Sequence, residues 1–138
     1  MRQAHHSLAI QTKGCGFYEF TDKVLRWLAS EKFSTALLTV YCRHTSASLL
    51  IQENADPDVQ TDLQNYFEKI APESDEYIHS AEGPDDMPAH LRAALTQTSL
   101  SIPIVDGRPV LGTWQGIYLF EHRARPHTRE LVLHVIGD

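Results

Sequence analysis

The stretch "STALLTVYCRHTSASLLIQENADPDVQTDLQNYF", residues 34–67, carries the signals that decide the fold. "STALLTVYC" is rich in apolar and β-branched residues and reads as a buried strand. "ASLLIQE" reads as a second strand close behind it. Asp56 then precedes Pro57: a capping carboxylate, followed by a proline in the first helical turn. Val59, Leu63, Tyr66, Phe67 and Ile70 follow at helical spacing, and Pro72 closes the pattern. Two adjacent strands feeding a helix point to an α+β chain.

The rest of the sequence extends this reading in both directions. "HHSLAIQT", residues 5–12, alternates as a strand does, and the two glycines of "KGCGF" mark a turn or bulge. Residues 21–32 read as a helix that Thr21 or Asp22 can cap, with Val24, Leu25 and Leu28 on one apolar face. "ESDEYIHSAEGPDDM", residues 73–87, is a long polar link, and links of that length are often functional. "PAHLRAALTQT" follows as a short helix with Asp85 or Asp86 near its start. "SLSIPIV" and "RPVLGTW" flank Asp106-Gly107, a type I′ hairpin signal. "GIYLFEH" and "ELVLHVIG" supply two more strands. The expected order is β-α-β-β-α-α-β-β-β-β, a single domain over residues 1–138. Such mixing favours helices on one face of a mostly antiparallel sheet.

Composition narrows the function. A chain of 138 residues with net charge -6 and scattered arginines is a poor nucleic-acid binder, because phosphate neutralisation needs clustered Lys and Arg. No segment approaches a membrane span, and "MRQAHHSLAIQTKG" lacks the apolar core of a signal peptide. Cys15 and Cys42, far apart, suggest reduced thiols in a cytoplasmic protein. Eight histidines in so short a chain are the first hint of chemistry.

The link His44–Ser48 sits between two apolar strands without Gly, Pro or Asn, so turn chemistry does not account for it. It reads as either a plain polar corner or an oxyanion site built from Thr45, Ser46 and Ser48, with Arg43 or His44 adding charge. His44, His79 and His90 all lie in or beside polar segments. Three neutral imidazoles make an open zinc site, although their spacing is not a zinc motif. The acids Glu53, Asp56 and Asp58, then Glu82, Asp85 and Asp86, exceed what helix caps require. The surplus can hold magnesium or fix a histidine tautomer. Gly112 and Gly116 bracket Trp114, which reads as core filler or as one wall of a ring-binding pocket. Glu121-His122-Arg123 ends a strand either as a solvated tip or with Arg123 as a phosphate clamp.

The segments "HTSASLLIQENADPDV", "YIHSAEGPDDMPAHL" and "SLSIPIVDGRPVLGTWQGIYLFEHR" resemble the YjbQ-like family of small bacterial and archaeal proteins, and the resemblance covers nearly the whole chain. It implies a compact α+β domain whose sheet curls into a half-barrel, assembled as a homotrimer. A polar pocket is implied at or near the subunit boundary. Carried over by position, its residues are His44, Asn54, Asp56, His79, Asp85, Asp86, His90, Glu121, His122 and Arg123. Family members are credited with a secondary thiamine-phosphate synthase activity, which joins hydroxymethylpyrimidine pyrophosphate to thiazole phosphate and releases pyrophosphate.

The roles expected on that basis are as follows. His44, Asp56, Asp86, Glu121 and Arg123 are catalytic. Thr45, Ser46, Ser48, Asn54, Trp114 and His122 bind the small phosphorylated substrate. His44, His79 and His90 hold a divalent metal, zinc or magnesium. Imidazole matches zinc better than magnesium, so a zinc-dependent hydrolase of a small phosphorylated metabolite is an alternative. A trimer that binds a metabolite without turnover is a third reading.

Overall fold

The computed structural model describes residues 1–74 and 76–138; Asp75, in the polar link, lies outside the described residues. Among the described residues, eight antiparallel strands and three helices form an α+β fold in which the sheet structure curls into a half-barrel. The strands are β1 (Arg2–Thr12), β2 (Gly16–Glu19), β3 (Ala36–Cys42), β4 (Ala47–Glu53), β5 (Ser99–Val105), β6 (Arg108–Pro109), β7 (Gln115–Glu121) and β8 (His127–Gly137). The helices are α1 (Thr21–Glu31), α2 (Pro57–Ile70) and α3 (Asp86–Leu95). A five-stranded sheet runs β1-β8-β3-β5-β6 and a three-stranded sheet β2-β7-β4.

Period-two alternation builds the core. Leu38 and Val40 of β3, Leu100, Ile102 and Ile104 of β5, and Leu131, Leu133 and Val135 of β8 all point to one side. Leu49 of β4 and Ile117 and Leu119 of β7 meet them from the small sheet, and Val24 and Leu28 of α1 complete the cluster. The other side of β7 carries Tyr118 and Phe120. Phe17 stacks on Phe120, Phe67 of α2 meets it edge-on, and Gln60 of α2 donates to the Tyr118 hydroxyl. Strand β7 is therefore buried on both faces, which explains its unbroken apolar run.

Several sequence expectations need correction. The "KGCGF" stretch turns as expected, with Gly14 and Gly16 at positive φ, but leads into a four-residue strand of its own, β2, that is absent from the expected order. Strand β1 starts at Arg2, where pairing with the far end of β8 extends it beyond the apolar pattern. Neither Thr21 nor Asp22 caps α1; Phe20 occupies that position, and the Thr21 hydroxyl binds Glu19 and the Ile117 amide instead. Leu25 of α1 is exposed, whereas Val24 and Leu28 are buried. Only Arg108–Pro109 of the "RPVLGTW" segment pairs as a strand. The Asp106-Gly107 turn has positive φ at both residues, as a type I′ turn requires.

Candidate metal centre and adjoining cleft

The first turn of α3 and the polar link before it converge on one carboxylate. Asp86 is buried at 2% exposure, and its Oδ2 receives His79 Nε2 at 2.6 Å and His90 Nε2 at 3.1 Å. Helical spacing puts Asp86 and His90, four residues apart, on one face. The other oxygen, Oδ1, accepts from Arg123 Nη1 at 2.6 Å. His79, Asp86 and His90 each offer a ligand atom, and the three atoms lie within 4.8 Å of one another. Burial alone would raise the Asp86 pKa, but the His79 hydrogen bond and the Arg123 and His90 charges bring it below the usual carboxylate range.

His90 is held at both ends. Its Nδ1 lies 2.9 Å from the Thr45 carbonyl oxygen, so Nδ1 carries a hydrogen and donates it. Its Nε2 then faces the Asp86 carboxylate. A bare nitrogen lone pair facing a carboxylate is repulsive, so a positive species belongs between them: a proton or a metal ion. Donation of the second ring nitrogen to a backbone carbonyl is also the usual arrangement of a metal-bound histidine. Two imidazoles and one carboxylate with open positions suit zinc or a similar transition metal better than magnesium. The residues present thus fit such an ion.

His44 does not belong to this cluster. The Glu130 amide donates to its Nε2 at 2.8 Å, and Arg129 Nη1 lies 3.4 Å from Nδ1. Its accepting lone pair is already committed, and Asp86 takes the place expected of it. Burial, then the Arg129 charge, lowers the His44 pKa, so the ring is neutral. His44 instead lines a cleft of about 560 Å³ together with Tyr41, Arg43, Thr45, His90 and Ala93. The cleft therefore adjoins the cluster through His90.

Most of the other polar candidates are tied up within the protein. Glu121 is fully buried and accepts from Thr12 at 2.7 Å and from Arg129 Nε at 2.8 Å and Nη2 at 2.5 Å. The His122 and Arg123 amides also donate to it, so no oxygen is left to reach a substrate. Desolvation opposes its charge, and the Arg129 and Thr12 hydrogen bonds outweigh that to lower its pKa. Arg123 spends Nε on Asp85, Nη1 on Asp86 and Nη2 on the Glu82 carbonyl, which makes it the tether of the polar link rather than a free phosphate clamp. Ser46 Oγ accepts from Arg129 at 3.0 Å. Ser48 is buried between Thr96 at 2.5 Å and His122 Nε2 at 2.8 Å. His122 is 1% exposed, and burial with nearby Arg92 lowers its pKa to about 3. Of the three hydroxyls in the corner, that of Thr45 is the one on a residue open to solvent in the cleft.

Asn54, Asp56 and Trp114 lie elsewhere. The β4–β7 ladder pairs Ala47 with Glu121 at one end and Glu53 with Gln115 at the other. That separates the two groups by about 20 Å at roughly 3.3 Å per residue. At the far end Asn54 donates to Glu19, Asp56 caps α2 through the Asp58 amide, and Trp114 is 61% exposed. Within one chain these three do not join the cluster.

Sequence reasoning missed Arg129, the buried partner of Glu121 and Ser46. The signal was present: Arg129, Leu131, Leu133 and Val135 share one parity of β8, which puts a charge on a core-facing position.

Comparison with known proteins agrees with this architecture. The family model described as UPF0047 protein YjbQ-like matches residues 6–138. The UPF0047 protein sll1880 of Synechocystis is 54% identical, covering 99% of this chain and 94% of that protein. The UPF0047 protein YjbQ of Escherichia coli O157:H7 is 39% identical, with 96% of each covered. A crystal structure of a YjbQ/UPF0047-family protein from Clostridium acetobutylicum superposes with TM-score 0.85 at 34% identity, covering 96% of this chain and 99% of that one. A YbjQ-like protein from Sulfolobus solfataricus, 18% identical, shares the fold with TM-score 0.87 over 99% of this chain and 100% of that one. The chain belongs to the UPF0047 YjbQ-like family.

Proposed function

We propose that the protein is a metal-dependent enzyme acting on a small phosphorylated metabolite, with His79, Asp86 and His90 holding a divalent ion of the zinc type. The observation that carries this reading is His90: both ring nitrogens face oxygen acceptors, which calls for a cation on the Asp86 side. Such an ion, when bound, supplies Lewis acidity toward a water or a phosphoryl oxygen, so hydrolysis is the reaction favoured. The chain's own residues orient the site. Arg123 fixes Asp86 through Oδ1 and leaves Oδ2 for the cluster, and the Thr45 carbonyl sets the His90 ring. Arg43, at the cleft wall, brings positive charge for a phosphate, which must compete with its exposed ion pair to Glu130.

The second reading is transfer of the thiamine-phosphate synthase type. The cleft volume of about 560 Å³ supports it, being large enough for two small heterocycles side by side. A homotrimer fits either reading. Leu37, Tyr41, Val105 and Ile136 are exposed on the outer face of the five-stranded sheet, and Tyr41 also lines the cleft, so a neighbouring subunit on that face would border the substrate. We place the protein in a reducing compartment such as the cytoplasm, on the ground that two cysteines far apart in sequence are too few for a disulfide scaffold.

Metal analysis of protein purified without chelator tests the main reading. About one zinc-type ion per chain is expected, and His90→Ala and Asp86→Asn should each lower occupancy by 10-fold or more. The same preparations, weighed by native mass spectrometry as trimers, should release phosphate from a panel of phosphorylated metabolites and lose that activity with the metal. Active metal-free protein would exclude the hydrolase reading. Thiamine-phosphate formation without hydrolysis would favour transfer, and saturable binding with no turnover would leave the non-catalytic alternative.

A further inference from the structure

A second cavity, of about 260 Å³, lies between α2 and α3 and is lined by Cys15, Gln64, Glu68, Glu73, Arg92 and Phe120. It opens on the side of α3 away from His90, because Arg92 is two residues further on, about 200° around the helix. Arg92 is the unusual member. It is half-buried, its Nη2 donates to the Ala71 carbonyl at 2.9 Å, and its Nε is buried without a partner. Of the arginines that are not exposed, Arg123 and Arg129 pair with carboxylates, whereas among the described residues Arg92 has no carboxylate within 4.0 Å. A part-buried guanidinium whose one partner is a carbonyl lacks an anionic one, and because Nε is enclosed by the protein an acceptor on a ligand must meet it along the Nη edge.

The rest of the lining says what such an acceptor must carry with it. Glu68 and Glu73 add two negative charges to one positive, so a simple anion would enter a net negative cavity. Cys15 does not change the balance: its thiol donates to the His122 carbonyl, and burial raises its pKa. His122, whose ring packs against Phe120, is neutral as well. Phe120 supplies an apolar floor. We propose that this cavity binds a small zwitterion, its carboxylate on Arg92, its ammonium at Glu68 and Glu73, and its aliphatic spacer over Phe120. The site is separate from the metal centre and stands whether or not that centre holds an ion.

Calorimetric titration with glycine, β-alanine, γ-aminobutyrate and 5-aminovalerate tests it, with propionate and propylamine as single-charge controls. One spacer length should bind saturably and at least about tenfold more tightly than either control, a difference of about 1.4 kcal/mol. That ligand should slow alkylation of Cys15 by iodoacetamide, since Cys42 is buried, and chelator treatment should leave its affinity unchanged. Arg92→Gln should abolish binding. Arg92 also holds the end of α2, so a variant with exposed changes only, Glu68→Gln with Glu73→Gln, provides the second arm. It should bring the preferred zwitterion and propionate to similar affinity. Failure of all four zwitterions to bind, propionate binding as tightly as the best of them in the unaltered protein, or an unchanged preference in the double variant would overturn the proposal.

Discussion

At the scale of single residues, the chain uses its charges in two ways that look alike in sequence. Asp86 collects two imidazoles and an arginine at the edge of a cleft, while Glu121 collects Arg129, Thr12 and two backbone amides in the interior. The second set predicts a large effect on stability. Arg129→Leu leaves the Glu121 charge buried and unpaired, and should cost about 3–5 kcal/mol. Without Arg129, burial raises the Glu121 pKa, so acid neutralises the carboxylate earlier and relieves the penalty. Urea unfolding should therefore show the gap between variant and parent narrowing as the pH falls from 7; a gap independent of pH would mean that Glu121 bears no such charge. This distinction was not legible beforehand. His79, His90 and Asp86 were recognisable as ligand types in polar segments, but Glu121 and Arg123 looked equally reactive. What separates them is the number of donors already aimed at each, which depends on residues up to 109 positions away.

At the scale of elements, local signals were reliable where local chemistry decides the structure. Asp56-Pro57 starts α2 as expected, with the Asp56 carboxylate accepting from the Asp58 amide at 2.9 Å. Asp56→Ala should lose about 1 kcal/mol of stability, the usual cost of removing an N-cap, and leave metal content and turnover unaltered. A drop in activity without a drop in stability would return Asp56 to the catalytic set. The Asp106-Gly107 hairpin and the span of β4 were legible for the same reason. Strand β2 and the first residues of β1 were not, because both exist by pairing with β7 and β8, the last two strands of the chain. The β4–β7 ladder also explains why one motif-rich stretch served two places: seven paired residues carry its two ends to opposite ends of the small sheet's strands.

At the scale of the whole molecule, the buried histidines and paired acids predict how stability responds to pH. Unfolded His44 and His122 take up protons near 6.5, whereas in the fold His44 does so lower and His122 only at about 3. Between those limits the unfolded state binds more protons, so stability falls as the pH falls. Asp85, Asp86 and Glu121 have depressed folded values, so what they contribute is present above the ordinary 3.8 for Asp and 4.5 for Glu, and is lost on further acidification. The urea midpoint should decline steadily from pH 7 to 5, and His122→Gln should flatten that decline; an unchanging midpoint across this range in the parent would contradict the burial assigned to His122. The pairing of β1 with β8 has a further consequence, one of timing. Residues 2–12 are made well before residues 127–137, their sheet partner among the described residues. Strand β1 must stay unpaired until β8 has been made, so this long-range contact should close slowly and late in folding.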